Sequence, residues 1–203
     1  MKKQLVISRY KENVDWINDV RCFDNITLYN KGEPFIGNHN FDYYELPNVG
    51  REAHTIIHHI INNYDNLYDI TVFCQGNPFE HTNRIKTGED FNTKLTDYRF
   101  GNIAEPLDKN IQVDYSGYTY TTFKTCLDGL PPTIMFSSGG QWMVPKHCIR
   151  SKSLNFYKKI YEELKIDRKD NYDGIFNAWT LEGLWISIYN ENIKEKISFS
   201  EQL

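Results

Sequence analysis

Three groups of residues in this 203-residue chain have types and spacings suited to chemistry. The run Leu46-Pro47-Asn48-Val49-Gly50-Arg51-Glu52-Ala53-His54 sets an asparagine, a glycine and an arginine in the turn before a helix. Backbone N–H groups at a helix start, joined by a guanidinium, suit a phosphate. The plainer alternative is that Asn48 and Gly50 make the turn and Arg51 is solvated. The second group is the turn Gln75-Gly76-Asn77-Pro78, which follows the strongest strand pattern in the chain. The third is Glu182. On a helical wheel of residues 174–189 at roughly 100° per residue, Ile175, Ala178, Trp179, Leu181, Trp185, Ile186 and Tyr189 form one apolar arc. Glu182 falls inside it, whereas Asn177, Thr180, Gly183 and Ser187 take the other side. A carboxylate turned inward is costly unless it is paired or used. Partial desolvation would also raise its pKa toward that of a general base. A structural ion pair and a snorkelling surface residue are the alternatives, and Asp173, at the start of the same helix, is the reserve candidate. His54 and His58 stand four apart, a spacing that metal sites use, but without a His-Glu-x-x-His order they read as packing residues, as do His59 and Cys74.

The elements that must position these groups follow from periodicity. Leu5 to Ser8 and Asn25 to Tyr29 are short apolar runs of strand type, with a short helix expected over Asn13 to Val20. Tyr29-Asn30-Lys31-Gly32 closes the second strand with a turn, and Tyr43 to Leu46 is a third strand ended by Pro47. From Glu52, the residues Ala53, Ile56, Ile57, Ile60, Ile61 and Tyr64 recur at helical spacing. Asp69 to Cys74 is the next strand. Residues 76 to about 130 are weakly patterned, and Tyr115 to Phe123 reads as a hairpin or an ordered loop. Order resumes with Thr133 to Phe136, the turn Gly139-Gly140 and a strand over Gln141 to Val144. One helix then opens at Ser151, and another runs from Asp173 to about Tyr189. Strands alternating with helices predict an α/β sheet. In such sheets ligands bind beyond the carboxyl ends of strands. Arg9, Tyr10, Asn48, Gly50, Arg51, Gln75, Gly76 and Asn77 therefore converge on one crevice, where an arginine, an aromatic ring and amides suit a nucleotide diphosphate.

Composition narrows the classes. Lys+Arg number 23 against 27 Asp+Glu, a net charge of −4 that offers nucleic acid no positive field. No apolar run approaches the roughly 20 residues that span a bilayer. The opening Met1 to Arg9 has too short an apolar core for a signal peptide and reads as the first strand. Cys22, Cys74, Cys126 and Cys148 form no Cys-x-x-Cys pair and read as reduced thiols, which favours a cytoplasmic location.

Four segments carry a family resemblance. Ser8-Arg9-Tyr10-Lys11-Glu12-Asn13-Val14-Asp15-Trp16, Tyr29 to Gly32, Leu46 to His54, and Ile70 to Pro78 with His81 resemble a family of uncharacterised fungal and viral proteins. That family is similar to small GT-A type glycosyltransferases, and the resemblance runs from residue 5 to about 189. It implies a single domain over 1–203 with a mixed, mostly parallel central sheet flanked by helices. Residues 1–78 would form the nucleotide-sugar-binding half, 79–132 an irregular region and 133–192 the acceptor-side half. Gln75-Gly76-Asn77 falls where such transferases carry Asp-x-Asp, so a Mn²⁺ or Mg²⁺ ion would rest on the diphosphate with Asn77, Glu80 or His81 assisting, or cations such as Arg51 would replace it. Ser137 to Pro145 resembles the acceptor-side segment, with Gly139, Gly140, Gln141 and Trp142 around the acceptor sugar. Trp179 to Trp185 resembles the family's closing segment, with Gly183 in place of its arginine, and Lys11 departs where the family usually has asparagine. The implied activity is sugar transfer from a nucleotide-diphosphate donor to a glycan, glycoprotein or other hydroxyl acceptor, inverting, with Glu182 as base. A degenerate fold that binds nucleotide sugar or glycan without turnover is the first alternative. A metal hydrolase centred on His54 and His58 is the second.

Overall fold

The structure is a computed structural model that describes residues 1–35, 39–80, 82, 84–96, 100–103, 139–165 and 181–189. Asp173, His81, Cys126, the Tyr115–Phe123 stretch and the expected strand at Thr133–Phe136 lie outside the described residues.

Continuous apolar runs become central strands because both their faces are covered. β1 (Lys3–Arg9) is buried over Gln4–Ile7 and β4 (Ile70–Gln75) over all but its last residue, and they lie side by side and parallel. β2 (Asn25–Asn30) pairs with the other side of β1, and β3 (Asp42–Glu45) forms the margin beyond it, again in parallel. Among the described residues, β5 (Gly101–Asn102) and β6 (Trp142–Pro145) bring the sheet to six strands in the order β3-β2-β1-β4-β6-β5, in which β6 runs antiparallel to both neighbours. The expected mixed, mostly parallel sheet is therefore present.

Alternation along the strands divides the core into two layers. Val6, Phe73, Trp142 and Val144 face one layer together with Ile56, Ile57 and Ile60 of α1 (Arg51–Asn63). Leu5, Ile7, Val72, Cys74 and Met143 face the other, with Ile17 of a 3-10 turn over Asp15–Asp19 and Phe91 of α2 (Gly88–Lys94). The 3-10 turn stands where a short helix is expected. α2 and β5 lie in the stretch whose pattern is weak; α2 is held by a capping box in which Thr87 and Asp90 exchange bonds with each other's backbone. Ser151 donates its hydroxyl to Cys148 O at the end of the short α3 (Lys146–Ile149), so the next helix, α4 (Leu154–Leu164), is capped by Ser153 instead. The closing segment is helical at Leu181–Glu182, turns at Gly183–Leu184 and resumes as α5 (Trp185–Tyr189). That break changes the phase of the wheel, and Ser187, expected on the polar side, is buried.

The chain builds β1, β2 and β3 outward in one direction and then returns through α1 to place β4 on the opposite flank of β1. The order reverses between β1 and β4, which is where a doubly wound sheet opens a crevice. Register sets Ser8 beside Gln75 and Arg9 beside Asn30, so the carboxyl ends of three strands share one edge. Antiparallel β6 starts at the same edge, with Trp142 beside Phe73. No described helix is long and apolar enough to cross a membrane.

Candidate functional site at the carboxyl edge of the sheet

The ends of β1, β2 and β4 are tied by their own polar groups. Gly76 N–H donates to Ser8 O and Lys31 N–H to Arg9 O, both at 2.8 Å, carrying the ladder one residue past the strands. The Arg9 guanidinium donates to Asn30 Oδ1 (2.6 Å), Glu12 O (2.9 Å) and Glu33 O (2.9 Å), and lies over the Phe35 ring. Arg9, expected at the donor diphosphate, thus ties the loop after β1 to the end of β2 and the loop that follows it. Tyr10 is 43% exposed beside Lys11, whose ammonium stands 5.1 Å from its ring centroid. The backbone of Tyr10 passes so close to Gly32 that a Cβ there would meet Tyr10 O at 1.8 Å. Glu12 folds back so that Oε2 accepts the N–H groups of Tyr10 (2.6 Å) and Lys11 (3.0 Å), and its side chain lies against Gly76. Trp16 Nε1 donates to Gly76 O at 2.8 Å, fixing the turn after β4 from below.

The start of α1 meets the end of β2 through a buried ammonium. Lys31 is 7% exposed, and its Nζ donates to Val49 O at 2.7 Å and to Arg51 O. Burial lowers its pKa to about 7, and the nearby Glu52 carboxylate works in the opposite direction. Gly50 and Arg51 both adopt left-handed backbone, at φ 58° and 47°. For arginine this conformation is strained. Asn48 and Arg51 are exposed, and Ser8 shares a hydroxyl bond of 2.9 Å with Thr55 of α1. His54, one turn in, is wholly buried and stacked on Tyr161 at 4.9 Å between centroids, and neither of its ring nitrogens has a hydrogen-bond partner. Burial, then the Lys31 charge, lower its pKa to about 3, so the ring is neutral.

The residues expected around the acceptor gather on two glycines. Glu182 Oε2 accepts Gly139 N–H at 3.2 Å, and Trp142 Nε1 donates to Gly139 O at 3.1 Å. Gly139 has φ +81°, and nothing lies within 4 Å of where its Cβ would be. Gly140 is closed instead: a Cβ there would meet Glu52 Cγ at 2.3 Å. Gln141 is 2% exposed; its Nε2 donates to Pro78 O at 3.2 Å, while its Oε1 is buried without a partner. The glycine turn, the turn after β4 and the first turn of α1 are therefore adjacent. Trp142 is fully buried core that also anchors the turn.

Asn77 spends its amide within its own turn, donating to Glu80 Oε1 at 2.9 Å and accepting Phe79 N–H at 3.3 Å. Gln75 ends β4 half-buried. His58 Nδ1 bonds the Tyr161 hydroxyl at 3.0 Å, and its ring centroid is 6.1 Å from that of His54. His59 lies between the Tyr29 hydroxyl and Gln4 Oε1, both at 3.1 Å, and burial takes its pKa to about 3. Among the described residues no group of three or more His, Cys, Asp or Glu side chains is placed to share a metal ion.

Three residues at this edge, Lys31, Glu12 and Glu52, were not expected there. Lys31 follows a buried strand directly and precedes a glycine, which was the available signal; its burial arises only when α1 packs over the end of β2.

Fold and edge together define an α/β protein with a doubly wound half and a mixed sheet whose strand order reverses between β1 and β4. The family described as "Protein of unknown function (DUF3431)" matches residues 5–117, more than half of the chain, and the chain belongs to it. No curated protein and no solved structure matches the chain.

Proposed function

We propose that this chain is a glycosyltransferase of GT-A type that moves a sugar from a nucleotide-diphosphate donor to a glycan or other hydroxyl acceptor. Glu182 takes the proton of the acceptor hydroxyl as its oxygen attacks the anomeric carbon; the bond to the diphosphate breaks and its electron pair leaves with the diphosphate. Attack from the opposite face makes the reaction inverting. The observation that carries this reading is the 3.2 Å bond from Gly139 N–H to Glu182, which joins the candidate base to the candidate acceptor turn at the carboxyl edge of the sheet. The start of α1 receives the diphosphate near Asn48, Gly50 and Arg51, and Tyr10 offers an exposed flat face to the base. Asn77 and Glu80 bring a single carboxylate, already bonded to the amide, which does not fit a protein-held divalent ion. Glu182→Gln should abolish sugar transfer while nucleotide-sugar binding, measured by calorimetry, stays intact. Retained turnover overturns the assignment.

The same turn favours one other reading, a module that binds nucleotide sugar or glycan without chemistry, because Gln75-Gly76-Asn77 replaces the acidic pair. Calorimetry followed by a donor-hydrolysis assay, with and without Mn²⁺, separates the two: binding with no turnover of any donor supports the module.

A further inference from the structure

We propose that a groove at the opposite edge of the sheet, where β1 and β4 begin, binds a small organic anion with an apolar body, of the fatty-carboxylate kind. The proposal does not depend on the transferase reading, because the two sites share no residue.

The groove forms where strands of opposite direction meet. Register puts Ile70, the first residue of β4, beside Lys3 at the start of β1 and beside Pro145 at the end of β6. The chain then turns into α3, which brings Lys146, His147 and Arg150 to the same opening. The result is a concavity of about 890 Å³. Met1, Ile70 and Pro145 give it apolar surface, and Lys146, His147 and Arg150 give it basic groups. Apolar walls with a few polar groups are the ordinary form of a small-molecule site of this size. Met1 is 67% exposed, apolar area that a bound body would cover.

The basic groups are left without an acid of their own. Lys146 is half-buried, and neither its ammonium nor the His147 ring has a partner among the described residues. Arg150 donates from Nε and Nη2 to Tyr64 O and from Nη2 to Asp65 O, which leaves Nη1 as its remaining donor. Those bonds, with the Tyr64 ring centroid 5.9 Å from Cζ, hold the guanidinium in place. Asp65 is exposed and lies 4.0 Å from Arg150 Nη2, a pairing that water screens heavily. Asp69 is the acid in the lining, and its Oδ2 accepts the Lys2 N–H at 2.7 Å. From Lys146 to Lys165 the chain carries six Lys and Arg against two Glu, +4 in a protein of net charge −4. The surroundings of the groove therefore draw anions toward it.

The backbone favours a small molecule over a peptide. Peptides that dock on a sheet add bonds to an unpaired ladder. Here the ends are closed: Ile70 N–H donates to Lys2 O at 3.2 Å and Lys146 N–H to Asp69 O at 2.9 Å. Recognition falls to side chains, with a charged head at Lys146 and Arg150 and an apolar body against Met1, Ile70 and Pro145.

The test titrates the full chain with decanoate, kept below the concentration at which it forms micelles. Decanol lacks the charge, acetate lacks the apolar body, and vesicles of anionic phospholipid present charge as a membrane surface. Decanoate should bind saturably and at least about tenfold more tightly than decanol or acetate, given the usual scale of a charge-assisted bond and of apolar burial. It should shift the amide resonances of Ile70, Lys146, His147 and Arg150 most. Lys146→Gln should weaken decanoate about tenfold, and Lys146→Arg should restore it. No saturable binding, equal binding of decanol or acetate, largest shifts elsewhere, or unchanged affinity in a folded Lys146→Gln overturns the proposal. Binding to the vesicles without binding of free decanoate overturns it as well and assigns the charge to a membrane surface. If Lys146→Gln does not fold, the wild-type amide map and the ligand series decide.

Discussion

The two sides of the carboxyl edge are built on opposite plans. Around the ends of β1 and β2 the long polar chains are committed: Arg9 to Asn30, Glu12 and Glu33, Lys31 to Val49 and Arg51, Glu12 to the backbone of its own loop. Around Gly139 one carboxylate bonds a glycine N–H, and a buried amide oxygen has no partner. The first side is a frame of interlocked polar contacts with one exposed ring, Tyr10, whereas the second sets single side chains around small residues. Under the proposed transferase reading, donor affinity should respond to changes in the frame, and acceptor chemistry to changes in single groups.

The contrast can be broken first at Trp142, which belongs to both the core and the acceptor turn. Trp142→Ala should destabilise the fold by roughly 3–5 kcal/mol, read from the denaturant midpoint, as for other buried aromatic truncations. Trp142→Phe keeps a six-membered ring but loses the pyrrole half of the indole and its bond to Gly139 O, so it should cost about 1–3 kcal/mol from the lost bond and the small cavity and, under the proposed transferase reading, alter acceptor KM more than donor KM. The glycines sharpen the contrast further. Gly32→Ala must displace the Tyr10 backbone and should cost about 1–3 kcal/mol, the usual range for overpacking, with donor binding lost alongside stability. Gly139→Ala meets no neighbour and pays only for its left-handed backbone, about 1–2 kcal/mol, with Gly139→Asn milder.

The buried bases give stability a pH dependence. Lys31 has a folded pKa near 7, below the ordinary 10.5, so between those values the unfolded chain binds more protons and stability rises with pH. Urea midpoints at several pH values should climb through that window and lose this component in Lys31→Met. The neutral histidines act on the acid side. With folded pKa values near 3 for His54 and His59 against 6.5, stability should fall as pH drops through 6.5 toward 3.

The frame was the more legible half. β1, β2, β4 and α1 each carry a sustained apolar signal, and their ends come within two residues of the expected places. α2 and β5 are too short for periodicity to register and depend on a cap and on pairing with β6. Ser187 was misplaced because Gly183 interrupts the helix, a change of phase that a continuous wheel does not represent. Within the candidate site, Glu182 was singled out because a charge stood among apolar neighbours, and Gly139 because glycine pairs mark turns; the structure joins the two by one hydrogen bond. Lys31 and Glu52 escaped because a lysine at a strand end and a glutamate in a first helical turn are ordinary in sequence, and their meaning comes from segments that pack on them.

The β3 margin has a bearing on how copies of the chain meet in solution. It is only four residues long, two of them acids, and one of these, Asp42, is held by the amide of Asn25. A short, negatively charged outer strand repels its own kind and gives a growing stack little to add to. Neutralising Asp42 and Glu45 together would remove that repulsion, and light scattering at rising protein concentration would register the loss as self-association.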